Sequence, residues 1–276
     1  MLESLNRFLA AWLATIRTMI APSVFWPFVV VAALQGLVLW FLTIAPSPAF
    51  GGWPIEILRS WFGPAAEHYP AHYALLPLMF FRIALVLDVF VWIVANGVAT
   101  GAFAGRFTGT WSGPRGFIGT ALSRYLPMFL IAVVITVVVV FAILRLPGAF
   151  SGWAYGSPRR EIFIDAVTRT VMVGFMSLWA YTTVALIVER ASLVGAIAAS
   201  ARRFLRRPLA TFFLLGVPYL LTVPFSLVAT WSELPSKFRP ETIAIALVLV
   251  IVSQFAANLL TCGTVTHYYL AESTRE

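Results

Sequence analysis

The sequence has little charge for its length. Only 11% of its 276 residues are charged, whereas 61% are hydrophobic and the mean hydropathy is +0.90. An average soluble domain has about 25% charged residues. A soluble fold of this size would leave a large apolar surface in water. The composition excludes a soluble enzyme, a disordered chain and a secreted disulfide scaffold, and it predicts an integral membrane protein.

The chain has a single cysteine and a single lysine, Cys262 and Lys237. One cysteine excludes an intrachain disulfide and a zinc site built from thiolates. The net charge of +8 therefore rests almost entirely on arginine. Because these arginines lie between long apolar runs, we expect them to orient the chain in a bilayer and to contact anionic lipid headgroups, with no nucleic-acid partner.

The motifs of common enzymes are absent as well. The sequence has no H-E-x-x-H helix, no G-x-S-x-G elbow and no Walker A loop. His68 and His72 lie next to Glu67, but Pro70 disfavours the regular helix that would present both imidazoles to zinc. The glycine-rich stretch 105–116 lacks the Lys-Ser/Thr of a phosphate-binding loop. We predict no enzyme, no cofactor and no metal site; a lipid-modifying enzyme of unfamiliar type is the alternative.

What the sequence has in excess is long apolar runs. A helix needs about 20 apolar residues to cross the hydrocarbon core of a bilayer. Six stretches are long enough, at about residues 24–44, 78–104, 126–144, 163–188, 209–230 and 242–270. We therefore predict an all-α integral membrane protein with six transmembrane helices, in a single polytopic domain that covers residues 1–276.

The basic residues are unevenly divided between the two sides of this arrangement. Six spans place both termini on one side, and that side carries eleven basic residues against six on the other. Loops rich in arginine and lysine stay in the cytoplasm during membrane insertion. Both termini are therefore predicted to be cytoplasmic.

An amphipathic segment precedes the first, third and fifth spans. Each segment leads into a proline, at Pro22, Pro127 and Pro208. Each has apolar residues at helical spacing on one face and arginines elsewhere. We expect these segments to form helices that lie in the membrane interface, with the arginines toward the headgroups.

These segments divide the chain into three hairpins, at about residues 1–106, 107–190 and 191–276. The loops 49–53 and 149–153 share the pattern Ala-Phe-x-Gly-Trp, which the third hairpin lacks. Two interpretations stay open. The hairpins are degenerate internal repeats, or they are recurrent joints that any polytopic protein needs.

Polar side chains interrupt three of the predicted spans. Charged groups inside a bilayer are costly and often functional. The second, fourth and sixth spans contain Arg82, Asp88, Asn96, Asp165, Arg169, Gln254 and Asn258. They form either a polar path or headgroup pocket between these spans, or helix–helix contacts in which Asp165 pairs with Arg169 and Arg82 with Asp88.

The stretch 179–215 combines Glu189, Ala196, Ser200, a basic cluster and Pro208. It resembles a bacterial group of six-helix membrane proteins, which includes YciC-like proteins and the membrane domain of some glycerophosphodiester phosphodiesterases. The resemblance implies a multi-pass protein of the bacterial inner membrane. The phosphodiesterase domain is absent, so that activity is not implied.

The same stretch is similar to the cytoplasmic loop of ABC importer permeases, in which Glu189, Ala191, Gly195 and Pro208 have the family's spacing. This second resemblance implies a permease whose loop 189–208 docks an ATPase, with Glu189 and Gly195 as partner contacts. Arg190 departs from the pattern, as does the arginine before Pro208.

The basic cluster of this stretch is the strongest candidate site. Its density and amphipathic frame predict that it contacts anionic headgroups or a membrane-protein partner, through Arg202, Arg203, Arg206 and Arg207. We expect a non-enzymatic inner-membrane protein for envelope or lipid handling, or for the assembly of a membrane complex. The alternatives are an ABC-type permease and a self-sufficient transporter.

Overall fold

A computed structural model describes residues 2–46, 52–110, 113–154, 157–230 and 239–273. All regular elements of these residues are helical, so the predicted all-α class is confirmed. In chain order, the first nine α-helices of these residues are α1 (Leu2–Thr18), α2 (Pro22–Ile44), α3 (Trp53–Phe62), α4 (Ala71–Leu87), α5 (Ile93–Thr108), α6 (Pro114–Ser123), α7 (Tyr125–Ala149), α8 (Ser151–Ala154) and α9 (Pro158–Trp179). The remainder are α10 (Thr182–Ile187), α11 (Leu193–Arg206), α12 (Pro208–Leu220), α13 (Val223–Thr230) and α14 (Thr242–Ser273).

Five helical stretches are long and apolar enough to cross a membrane. They cover Pro22–Ile44, Ala71–Thr108, Tyr125–Ala149, Arg159–Ile187 and Thr242–Ser273. Each coincides with a predicted span, although the second begins earlier than the expected residue 78. The described helices are compatible with a multi-pass membrane protein.

The fifth predicted span is not one continuous helix. Residues 209–230 form α12 and α13, which meet at an angle of 51° and make either a broken span or a re-entrant loop. The sequence gives a reason for the break, because the ring of Pro224 would clash with the carbonyl of Leu220 in a continuous helix. The Thr222 hydroxyl donates to the carbonyl of Tyr219 at 2.8 Å and closes the turn. The described residues therefore contain five helices that are long and apolar enough to cross a membrane, or six if the bent pair is one span.

The second span contains a local change of helical geometry. Residues Asp88–Trp92 form a π-helical segment between α4 and α5. Such segments insert a residue into an α-helix and are frequent at functional sites. The segment therefore changes the direction in which Asp88 and the residues after it face.

The chain forms two compact units. The first comprises Met1–Pro27, Ile93–Pro218 and Leu259–Glu276, and the second comprises Phe28–Trp92 and Tyr219–Asn258. The core of the second unit is a cluster of large apolar side chains. Its members include Leu39, Leu42, Leu76, Met79, Phe80, Leu247 and Val250.

Close packing in the first unit depends on small residues of α5. An added Cβ atom at Gly101 would lie 2.8 Å from the Phe117 ring of α6, and one at Gly97 would lie 3.1 Å from Met128. Glycine lets helices approach each other this closely, as is common in membranes. These glycines therefore fix α6 and the start of α7 against α5.

The amphipathic helix before the first span, α1, also packs against a glycine. The buried face of α1 carries Ala11 and Thr15, and the Thr15 side chain lies against Gly263 of α14. The opposite face is an exposed apolar stripe of Leu9, Leu13, Ile16 and Ile20. Helices also form at the two other predicted amphipathic segments, as α6 and α11, and their place in the interface stays a prediction.

The proposed hairpin repeats also stay a prediction. In the first of the two similar loops, residues 49–51 lie outside the described residues.

Candidate functional site

The basic helix α11 has a defined start. The Ser192 side chain caps it by accepting a hydrogen bond from the Gly195 amide at 3.2 Å. Just before the cap, Arg190 has a left-handed backbone with a φ of 53°. The amide of Ala191 donates to the carbonyl of Ala185 at 3.2 Å, which joins this turn to the end of α10. The start of α11 is thus held to the end of the fourth span.

The buried face of α11 binds the break between α9 and α10. Ser200 is fully buried, and its hydroxyl donates to the carbonyl of Leu178 at 2.7 Å. The same oxygen accepts from the amide of Tyr181 at 3.1 Å. Backbone groups at a helix break have lost their intrahelical partners, and a buried one is costly unless it is satisfied. Ser200 supplies a partner to each of these groups.

Arg203 points toward the protein and is only 12% exposed. Its guanidinium forms an ion pair with Glu189 at 3.6 Å. It also lies over the Tyr269 ring of α14, 3.7 Å from the centroid. A guanidinium stacked on an aromatic face gains a cation–π interaction in addition to the ion pair. Arg203 therefore ties α11 both to the end of the fourth span and to the last helix.

Arg207 makes a second connection to the last helix. Its Nη1 donates to the hydroxyl of Tyr268 at 3.2 Å, and its Nε lies 3.3 Å from the carboxylate of Glu272. The next turn is held by Tyr181, whose hydroxyl is 2.9 Å from that of Thr211. These contacts fix the corner at which α11 meets α12.

Arg202 and Arg206 face away from these anchors and are exposed. Val194 and Leu205 are also exposed, at 76% and 73%, on the neighbouring flank of the helix. Gly195 is exposed near the start of α11. The structure thus divides the four predicted arginines into two that hold the helix and two that face outward. Sequence reasoning missed Glu272, Tyr268 and Tyr269, which are distant in the chain.

Of the predicted intramembrane pairs, Asp165 and Arg169 are joined by an ion pair of 2.6 Å on α9. Arg82 and Asp88 are not paired. Residues six apart on an α-helix lie about 120° apart around its axis, so they do not share a face. The Arg82 guanidinium instead lies 5.3 Å from the Phe62 ring centroid. The partner of Asp88 is Gln35 of α2, whose Nε2 donates to its carboxylate at 3.3 Å.

The sequence analysis missed Gln35, although it is the one amide side chain in α2. Asn96 lies on α5, and its backbone carbonyl is 3.9 Å from the thiol of Cys262. Gln254 and Asn258 are half-buried on α14. Within the residues that the structure describes, neither is hydrogen-bonded to Asp88. The predicted polar path between three spans therefore stays a prediction.

The two histidines lie in different surroundings. His72 is buried and its Nδ1 lies 2.9 Å from the carbonyl of Ala66, whereas His68 is exposed. Glu67 pairs with Arg59 at 3.0 Å. Across the described parts of the chain, no group of three His, Cys, Asp or Glu side chains is placed to hold a metal ion.

No protein-family model, curated protein or solved structure matches the chain. The two resemblances of the stretch 179–215 therefore stay predictions, and the function is argued from the chain's own residues.

Proposed function

We propose that the protein is a multi-pass, non-enzymatic protein of the bacterial inner membrane that holds anionic lipids at its cytoplasmic side. The observation that carries the proposal is the division of α11 into an anchored inner face and an outer face with Arg202 and Arg206 beside exposed apolar residues. Both termini lie in the cytoplasm in this proposal.

The geometry of α11 suits the boundary between acyl chains and headgroups. At 3.6 residues per turn, Val194 and Leu205 share one flank, and Arg202 and Arg206 share the next. A helix lying at the interface places its apolar flank in the acyl region and its arginines at the phosphates. Arg203 and Arg207 are turned toward acidic and aromatic side chains of the protein, whereas Arg202 and Arg206 are exposed, so we assign the lipid contact to Arg202 and Arg206.

The permease alternative retains one favourable observation. Val194 and Gly195 are exposed at the start of α11, where a docked ATPase would make contact. Glu189, the other contact that this alternative requires, is paired with Arg203. Glu189 and Gly195 are both exposed, so a partner that binds this end of α11 would reach either residue.

Native mass spectrometry of the full chain, extracted gently from its own membrane, tests the proposal. We compare the wild type with an Arg202→Gln/Arg206→Gln variant. The matched control is Arg159→Gln/Arg239→Gln, which removes the same charge from exposed arginines on the predicted opposite side. We expect the first variant to retain about thirty-fold less anionic phospholipid, since each of the two arginines contributes about 1 kcal/mol near an anionic surface.

Two results would overturn the proposal. Equal lipid retention by wild type and the α11 variant would show that the outward arginines do not hold lipid. A stoichiometric ATPase that copurifies with the wild type, and is lost when Gly195 is replaced by a bulky residue, would establish the permease alternative.

A further inference from the structure

A basic cavity lies at the end of the first unit where α6 leads into α7. It has a volume of about 380 Å³. Its lining comprises Arg115, Gly116, Gly119, Thr120, Ser123, Arg124 and Arg190. Residues 115–124 of the lining lie between the second and third spans, and Arg190 follows the fourth span. Spans that cross in alternating directions place these three span ends on the same side of a bilayer.

The cavity has three arginines in its lining and no acidic residue. Arg124 is held in place because its Nη2 donates to the backbone carbonyl of Arg190 at 3.0 Å. The hydroxyls of Thr120 and Ser123 donate to carbonyls of their own helix, so guanidinium groups are the donors that face the space. Like charges that converge repel each other, and an anion between them removes that repulsion.

A second cavity of about 380 Å³ adjoins the basic one and shares Thr120 and Arg190 with it. Its lining is mostly small or apolar, and includes Gly101, Ala104, Phe117, Ile187 and Val188. Binding sites for amphiphiles combine an apolar lining with a few convergent polar groups. The two cavities together offer a basic compartment beside an apolar one.

We propose that Arg115, Arg124 and Arg190 bind the phosphate of one anionic phospholipid, whose glycerol and first acyl carbons occupy the adjoining apolar cavity. Guanidinium groups bind phosphate oxygens through paired, charge-assisted hydrogen bonds. The Ala191 amide fixes the turn at Arg190, so the backbone that carries this arginine is held beside the cavity. This site goes beyond the proposed function, because it holds a single lipid with residues that α11 does not supply.

The test uses the full chain in phosphatidylcholine nanodiscs, titrated with phosphatidylglycerol and read by native mass spectrometry. The variant is Arg115→Gln/Arg190→Gln, and the matched control is Arg159→Gln/Arg239→Gln, which removes the same charge from exposed arginines elsewhere. We expect the tightest phosphatidylglycerol adduct to weaken about ten-fold in the cavity variant and to persist in the control. If that adduct is unchanged in the cavity variant and is lost in Arg202→Gln/Arg206→Gln, this site is overturned and the proposed function stands. Loss in the cavity variant alone supports the site even where α11 binds no lipid.

A comparison of phosphatidylglycerol with glycerol 3-phosphate tests whether the site binds a lipid or a soluble anion. The apolar cavity is part of the site in our proposal, so we expect glycerol 3-phosphate to bind much more weakly than phosphatidylglycerol. Val188→Phe narrows the apolar cavity. It should weaken the binding of phosphatidylglycerol without changing the binding of glycerol 3-phosphate. Equal binding of both probes would overturn the assignment to a lipid.

A measurement on the unaltered chain covers the case in which the arginine variant fails to fold. Phosphatidylglycerol with a photoreactive group near its headgroup should label peptides that contain residues 115–124 or 187–190. Labelling confined to other peptides would overturn the proposal.

Discussion

The guanidinium of Arg203 lies 3.7 Å from the centre of the Tyr269 ring, and 3.6 Å from the carboxylate of Glu189. One arginine of a basic cluster is thereby part of the fold, while its neighbour Arg202 is exposed. Two adjacent residues with the same charge therefore have different expected roles, and substitution separates them.

Replacement of Arg203 by Gln should destabilise the protein by about 1–3 kcal/mol, because it removes a cation–π contact and the partner of Glu189. The same replacement of Arg202 should change stability by less than about 0.5 kcal/mol. Thermal unfolding in detergent measures both. Equal shifts for the two variants would contradict the division of the cluster.

Replacement of Glu272 by Gln should loosen α11 from the last helix. Arg207 loses the ion pair with Glu272 and keeps the hydrogen bond to the hydroxyl of Tyr268. Hydrogen exchange should therefore accelerate at the amides of residues 193–207. Glu241→Gln is the control, since Glu241 accepts a hydrogen bond from Tyr69 in the second unit and should leave α11 unchanged. Identical exchange in both variants would show that Arg207 does not depend on Glu272.

Replacement of Gly263 by Ala should lower stability by about 1–3 kcal/mol. The new Cβ would overlap the Thr15 side chain and lie 2.8 Å from the Phe103 ring. Gly36→Ala is the matched control, because nothing lies within 4 Å of a Cβ at that helical glycine. The control should be neutral or slightly stabilising. The melting temperatures of the two variants test this prediction. An unchanged melting temperature for Gly263→Ala would mean that α1 packs less closely than described.

Two substitutions of Asp88 test how much its hydrogen bond with Gln35 contributes to stability. In Asp88→Asn the side-chain oxygen still accepts from Gln35, so stability should change little. Asp88→Leu leaves the buried Gln35 amide without this acceptor, at a cost of about 1–3 kcal/mol. Unfolding measurements on the two variants distinguish the cases. If Asp88→Asn lowers stability as much as Asp88→Leu, the charge of Asp88 contributes to stability in addition to its hydrogen bond.

Local spacing was enough to predict several features. The apolar runs predicted five of the long helices, because the length needed to cross a bilayer is fixed. The ion pair of Asp165 and Arg169 followed from their separation of four residues, which places them on one helix face.

Features that depend on distant residues were not predictable. The inward direction of Arg203 depends on Tyr269, which belongs to another helix, and Asp88 pairs with Gln35 across 53 residues. The break between α12 and α13 was not predicted, because hydropathy carries no information about helix direction. Pro224, two residues after the break, was the available signal.

The contact of Arg207 with the last helix has a consequence for the order of synthesis. Tyr268 follows Arg207 by 61 residues, so at 5–20 residues per second it leaves the ribosome about 3–12 seconds later. During that delay the nascent chain offers Arg203 and Arg207 neither the aromatic rings nor the carboxylate of α14. Arg203 can already pair with Glu189 at that stage, but the contacts of Arg207 with Tyr268 and Glu272 form only once α14 has been made. The corner between α11 and α12 therefore takes its described form later than the helices themselves.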